Sequence, residues 1–93
     1  MAGITGNLAG LALAQEDWPA AEKLAREALP LSEKVGRREL IAGNCHHLAK
    51  SLVGQGKGTE GLPYARRAVD IYTRLASLNL EDARATLREC EPQ

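Results

Sequence analysis

The chain has 93 residues, 44% of them apolar, and its twelve acidic residues balance twelve Lys and Arg. That length bounds it to one small domain, and a formal charge of zero excludes the basic excess that holding a nucleic-acid backbone by counterion release requires. No apolar run approaches the roughly 18 residues of a membrane span, so neither nucleic acid nor a membrane is an expected partner.

The first periodic segment carries Leu8, Leu11 and Ala12 and extends to about Ala14, where Gln15-Glu16-Asp17 breaks it. Its glycines, Gly3, Gly6 and Gly10, each cost roughly 1 kcal/mol against alanine in a helix. They imply close approach of a neighbouring backbone, floor space for a ligand, or a frayed end. Asp17 is an expected N-cap, with Pro19 tolerated in the first turn of a second helix from about Trp18 to Val35. The apolar spine of that helix is Ala21, Leu24, Ala28, Leu31 and Val35; Pro30 should kink it and Gly36 should stop it.

A third helix is expected from about Arg38 to Val53, carrying Leu40, Ile41, Leu48, Ala49 and Leu52. The glycine-rich run 54–58 makes the next turn, and Thr59 is the expected N-cap of a fourth helix through Leu75. Leu62, Ala65, Ala68, Val69, Tyr72 and Leu75 form the stripe of that helix, with Pro63 early enough to cost little. A short fifth helix, about Leu80 to Glu89, sets Leu80, Ala83 and Leu87 against a charged side and reads as a solvating cap.

The same residues return about forty positions apart. Leu8-Ala9 recurs as Leu48-Ala49, Ala25-Arg26 with Ala28 as Ala65-Arg66 with Ala68, and Val35 as Leu75. Such a period marks stacked helical units, none of which buries its apolar face alone. The expected fold is all-α: a right-handed superhelix of two helical hairpins, about residues 2–36 and 38–76, plus a C-terminal capping helix at about 80–90, all within one domain. Roughly three repeats are normally needed for stability. Self-association through helix 1 or helix 5, or excision from a larger protein, is therefore expected, the latter favoured by a start that falls inside a repeat.

Residues able to carry chemistry are few. Cys45-His46-His47 is not a metal motif, because successive helical residues point about 100° apart and no His or Cys follows at the fourth position. Cys45 reads as a packed small hydrophobe, while Cys90, near an exposed end, is expected to oxidise more readily. His46 and His47 read as groove or surface residues, with burial and hydrogen bonding of one of them as the alternative. The run 54–59 lacks the Gly-Lys-Ser/Thr succession and the preceding strand of a phosphate loop. Arg37-Arg38 and Arg66-Arg67, with Glu33, Glu39 and Asp70 nearby, read as a solvated face. No nucleophile-base set, paired carboxylates or cofactor fingerprint appears, so neither an enzyme nor a cofactor is expected. Two cysteines in helical patterns, and no signal-peptide pattern at the start, point to a reduced, cytoplasmic protein.

Two helix-turn-helix units with small residues at the crossings resemble the tetratricopeptide repeat, whose pattern runs Trp-x2-Leu-Gly-x2-Tyr, a turn Gly, Ala-x3-Phe, a further Ala and a Pro. Leu8, Ala9, Ala12, Ala21, Ala25 and Ala28 take those places in the first unit. Leu48, Ala49, Leu52, Gly56, Gly61, Ala65 and Ala68 take them in the second. Thr5 and Cys45 depart from the Trp position, and Glu33 and Thr73 from the Pro. The forty-residue spacing, and the stretch from Asn7 to Glu22, are similar to the longer subclass found in kinesin light chains and in bacterial multidomain regulators and signalling ATPases.

The resemblance implies a protein-protein interaction module binding a peptide or partner helix in a concave groove. It places Asn7, Gly10, Ala14, His46, His47, Lys50, Val53 and Thr86 on the groove floor, which is nearly bare of charge. Gly6, Gly10, Ala83 and Leu87 stand where chaperone-binding members carry most of their carboxylate-gripping set, which disfavours a C-terminal chaperone peptide. Asn7, His47 and Lys50 remain able to hydrogen-bond a bound backbone. The alternative function is a regulatory or sensor segment of a larger bacterial signalling ATPase or transcription regulator.

Overall fold

The computed structural model describes residues 10–91, so Asn7, Gly3, Gly6 and the Leu8-Ala9 pair lie outside the described residues. Residues 10–14 are helical and labelled α1, followed by α2 (Trp18–Val35), α3 (Arg38–Gly54), α4 (Gly58–Leu75) and α5 (Leu80–Cys90). There is no strand among the described residues, and none of their helices is long and apolar enough to cross a membrane. The fold is all-α, and α3 lies at its centre, packed against α2, α4 and α5.

Turn chemistry sets the period. Backbone φ is positive at Glu16 (58°), Gly36 (80°), Gly56 (75°) and Ala76 (52°), one left-handed residue every twenty positions. At three of the four turns the next amide reaches back five residues: Asp17 to the Ala12 carbonyl at 2.9 Å, Lys57 to Leu52 at 2.7 Å and Ser77 to Tyr72 at 3.0 Å. These are the six-to-one bonds of Schellman caps, which satisfy carbonyls a helix end would otherwise leave bare. Gly36 instead donates to the Ser32 carbonyl at 2.9 Å. Glycine takes the left-handed region without a Cβ clash, whereas Glu16 and Ala76 adopt it at a cost.

Small residues then decide how close the helices come. Ala21, Ala25 and Ala28 of α2, and Gly61, Ala65 and Ala68 of α4, forty residues on, are all buried. A Cβ on Gly61 would meet the Ala49 Cα, the Ala49 carbonyl oxygen and the Cys90 sulfur, each at 3.2 Å. That contact draws α5 onto α4 and buries Cys90 to 2% exposure, correcting its expected place at an exposed end. The larger apolar side chains come mainly from α3, whose Ile41, Cys45, Leu48 and Leu52 fill the centre beside Leu29 and Tyr72. Among them Asn44 Nδ2 donates to Ser32 Oγ at 3.2 Å, and Ser32 Oγ to the Leu29 carbonyl at 2.7 Å, so the buried polar atoms of this pair are joined between the two hairpins.

Other boundaries shift. Asp17 caps α2, its side chain accepting from the Ala20 amide at 3.4 Å with Pro19 in the first turn, and α2 runs unbroken through Pro30. Thr59 is not a cap: the Leu52–Lys57 bond closes the turn early, α4 restarts at Gly58, and Lys57 takes the N-cap position. The buried face of α2 includes Ala25, Leu29 and Ser32, while Leu31 (42% exposed) and Val35 (63%) of the expected spine face solvent, as does Leu75 (42%). On α5 the positions forty beyond buried Ile41, Asn44 and Leu48 hold Glu81, Arg84 and Arg88, all exposed, which gives that end a charged outer face.

Gly54 is helical rather than part of the turn. Its bare Cα lies against the Trp18 indole, where an added Cβ would stand 2.3 Å from Cδ2. Alongside, Gln55 Nε2 donates to Glu22 Oε1 at 2.9 Å, and Arg26 Nε to Glu22 Oε2 at 2.7 Å. The Glu22 carboxyl is held below its ordinary range by these hydrogen bonds, Arg26 first and then Gln55.

Helix propensity alone would have Gly54→Ala gain about 1 kcal/mol. The indole reverses that sign, and urea unfolding should show a loss of about 1–3 kcal/mol from overpacking. At Ala76, Gly removes the left-handed strain, and Ala76→Gly should raise the unfolding free energy by about 1 kcal/mol in the same measurement.

Candidate functional site

Helices α1, α3 and α5 enclose a hollow of about 380 Å³, lined by Gly10, Leu13, Ala14, His46, His47, Lys50, Tyr72, Asn79 and Asp82. Five of the residues assigned to the groove floor from sequence therefore stand together: Gly10, Ala14, His46, His47 and Lys50. Thr86 is buried behind His46 rather than facing the hollow. Val53 packs against the cluster of Ala49, Ala65 and Cys90 and does not line it.

Four lining residues were not foreseen. Leu13 sits one position off the stripe of helix 1, and Tyr72 belongs to the apolar stripe of α4, which does not reveal its reach into the hollow. Asn79 and Asp82 arrive through the α4–α5 turn, a connection that a residue pattern within one unit does not reveal.

The two histidines form the floor with rings 6.3 Å apart, inclined by 25°. His46 Nε2 lies 2.9 Å from Thr86 Oγ1, and that hydroxyl donates to the Asp82 carbonyl at 3.2 Å. A hydroxyl has one proton to give, so the bonds are all satisfied when Nε2–H of His46 donates to Thr86. Burial, reinforced by the neighbouring His47 and Lys50, pushes the His46 pKa down to about 4, with Asp82 opposing. Burial and Lys50 lower that of His47 as well. Both rings are neutral near pH 7.

His47 Nδ1 is buried and has no hydrogen-bond partner among the described residues. On the facing helix a Cβ at Gly10 would stand 3.6 Å from His47 Cε1, ordinary van der Waals contact. Gly10 is thus not required by a close helix crossing; its missing side chain widens the hollow. A neutral floor, Lys50 and Asp82 at the walls, and Asn79 at one end are suited to meeting the alternating donors and acceptors of a polypeptide. Cys45, next to His46, faces the core instead, fully buried, and its thiol is pushed up to about 11 by burial. It is therefore protonated and unreactive near neutral pH.

The match to known proteins agrees with this architecture. The tetratricopeptide repeat family model matches residues 1–35 and 45–82, more than half of the chain. No curated protein and no solved structure gives a significant match. The paired hairpins, the alanine crossings and the two matched segments together place the chain in the tetratricopeptide repeat family, whose repeats generally mediate protein-protein interaction.

Proposed function

We propose that this chain is a protein-binding module whose hollow between α1, α3 and α5 receives a peptide or a partner helix. The observation that carries the reading is the neutral, concave floor of His46 and His47, where the buried His47 Nδ1 has no partner among the described residues. Binding is passive: the packing of α3 between its neighbours preforms the floor, so little reorganisation opposes association. Asn7, Gly10, Ala14, His46, His47 and Lys50 serve the contact, while Val53 and Thr86 support it from within. The forty-residue spacing of the left-handed turns supports the longer-period subclass similar to kinesin light chain and bacterial regulator repeats. The reading as a regulatory segment of a larger signalling ATPase or transcription regulator uses the same groove and differs in what adjoins it.

Residues 1–93 form one domain on this reading, and its role is binding rather than catalysis. Cys45 and Cys90 are free and buried, which supports a reducing, cytoplasmic setting.

Pull-down from the native cell tests the groove. The proteins recovered by the wild-type chain should be lost when Gly10→Leu fills the hollow and depleted by Lys50→Glu; recovery of every partner by both variants would contradict the assignment.

Histidine neutrality also sets a pH window. The folded-state pKa of His46 lies near 4, below its ordinary 6.5, so the unfolded chain binds the extra proton first. The stability associated with the neutral ring is complete above about pH 6.5 and is lost as pH falls toward 4. Urea unfolding should give a free energy on the order of 2 kcal/mol lower at pH 5 than at pH 7. His46→Gln should flatten most of that difference.

A further inference from the structure

The apolar positions in the last turns of α2 and α4 are equivalent, and all are exposed except Ile71, which is half-buried against the core. Leu31 and Val35 on α2 correspond, forty residues on, to Ile71 and Leu75 on α4, and Leu78 in the next turn is 99% exposed. Close to this stripe, where the start of α3 meets the second half of α4, lies a second hollow of about 260 Å³ lined by Arg38, Ile41, Arg67, Asp70, Ile71 and Arg74. It shares no residue with the histidine groove. Its apolar surface is isoleucine, and its rim carries three guanidinium groups.

The charges around it do not balance. Arg67 pairs with Glu33 at 2.9 Å and Arg74 with Asp70 at 3.5 Å, while Arg38 has no acidic partner among the described residues. Three cations therefore face two carboxylates. Both existing pairs are solvent-exposed, with side chains 42–66% accessible, so they add little stability and exchange readily for another carboxylate. Arginine, moreover, receives carboxylates through two parallel hydrogen bonds.

We propose that this hollow is a second interaction surface, which takes an apolar anchor side chain flanked by carboxylates on a segment of a partner protein. The anchor leaves water against Ile41 and Ile71, and the flanking carboxylates meet Arg38 and the rim arginines. A second copy of this chain is a poor occupant, because a two-fold contact here sets the arginine rim against itself.

Methyl NMR of the whole chain tests this with blocked pentapeptides as probes. Glu-Glu-Leu-Glu-Glu should shift the Ile41 and Ile71 methyl signals saturably. The affinity should fall about fivefold or more in the exposed-site variants Arg38→Glu and Arg74→Glu, and the shifts should vanish at high salt. Lys50→Glu should leave them unchanged, which separates this surface from the groove. No response at Ile41 and Ile71 would overturn the proposal. So would an equal response to Lys-Lys-Leu-Lys-Lys, which would mean apolar contact without charge selection. An equal response to Glu-Glu-Gly-Glu-Glu or to inorganic phosphate would overturn it too, as the mark of a general anion site.

Discussion

Alanine and glycine at positions 21, 25 and 28 of α2 and 61, 65 and 68 of α4 leave both helices without bulk where they meet their neighbours. Close approach follows, and with it the need for larger side chains on the helix between them. Ile41, Cys45, Leu48 and Leu52 supply that volume, which is why α3 is buried on several sides while α2 and α4 keep one wet face. A core whose one buried aromatic is Tyr72 holds together because its helices are near enough for aliphatic side chains to span the gap. Gly61 shows how little slack exists, with three atoms at 3.2 Å from where a Cβ would stand.

The same geometry produces the groove. Because α3 is gripped by both neighbours, the side of it bearing His46, His47 and Lys50 is held toward α1 and α5, and the hollow is present without a partner. Its polarity follows from burial rather than from composition. Histidines in water are partly charged near neutrality, but desolvation and the adjacent Lys50 keep these two neutral. On the reading proposed above, a floor of that kind selects for shape and hydrogen bonding over charge, whereas the arginine-rimmed hollow on α3 and α4 has the opposite character. The two proposals together give one small array two surfaces with different chemical demands.

Much of this was legible in the residues. The forty-residue recurrence and the alanine spacing identified four helices to within a residue or two at either end, and Asp17 and Gly36 marked the ends of α2. The errors share a cause. Leu31, Val35 and Leu75 fit a helical stripe yet stay wet, since periodicity reports which side of a helix faces inward but not how far a neighbour extends along it. Thr59 has the chemistry of a cap, yet the Leu52–Lys57 hydrogen bond had already ended the turn. Val53 and Thr86 lie at groove positions by analogy, and packing with α4 and α5 turned them inward.

From the sequence alone came the all-α class, the period and the crossings, because these depend on local spacing of small and apolar residues. Tertiary structure decided the burial of Cys90, the stacking of Trp18 on Gly54, and the entry of Tyr72, Asn79 and Asp82 into the hollow. It also brought Arg38 within reach of Arg67 and Arg74. Each of these depends on the distance between helices remote along the chain. That distance is the outcome of all the contacts together and is not a property of any one segment.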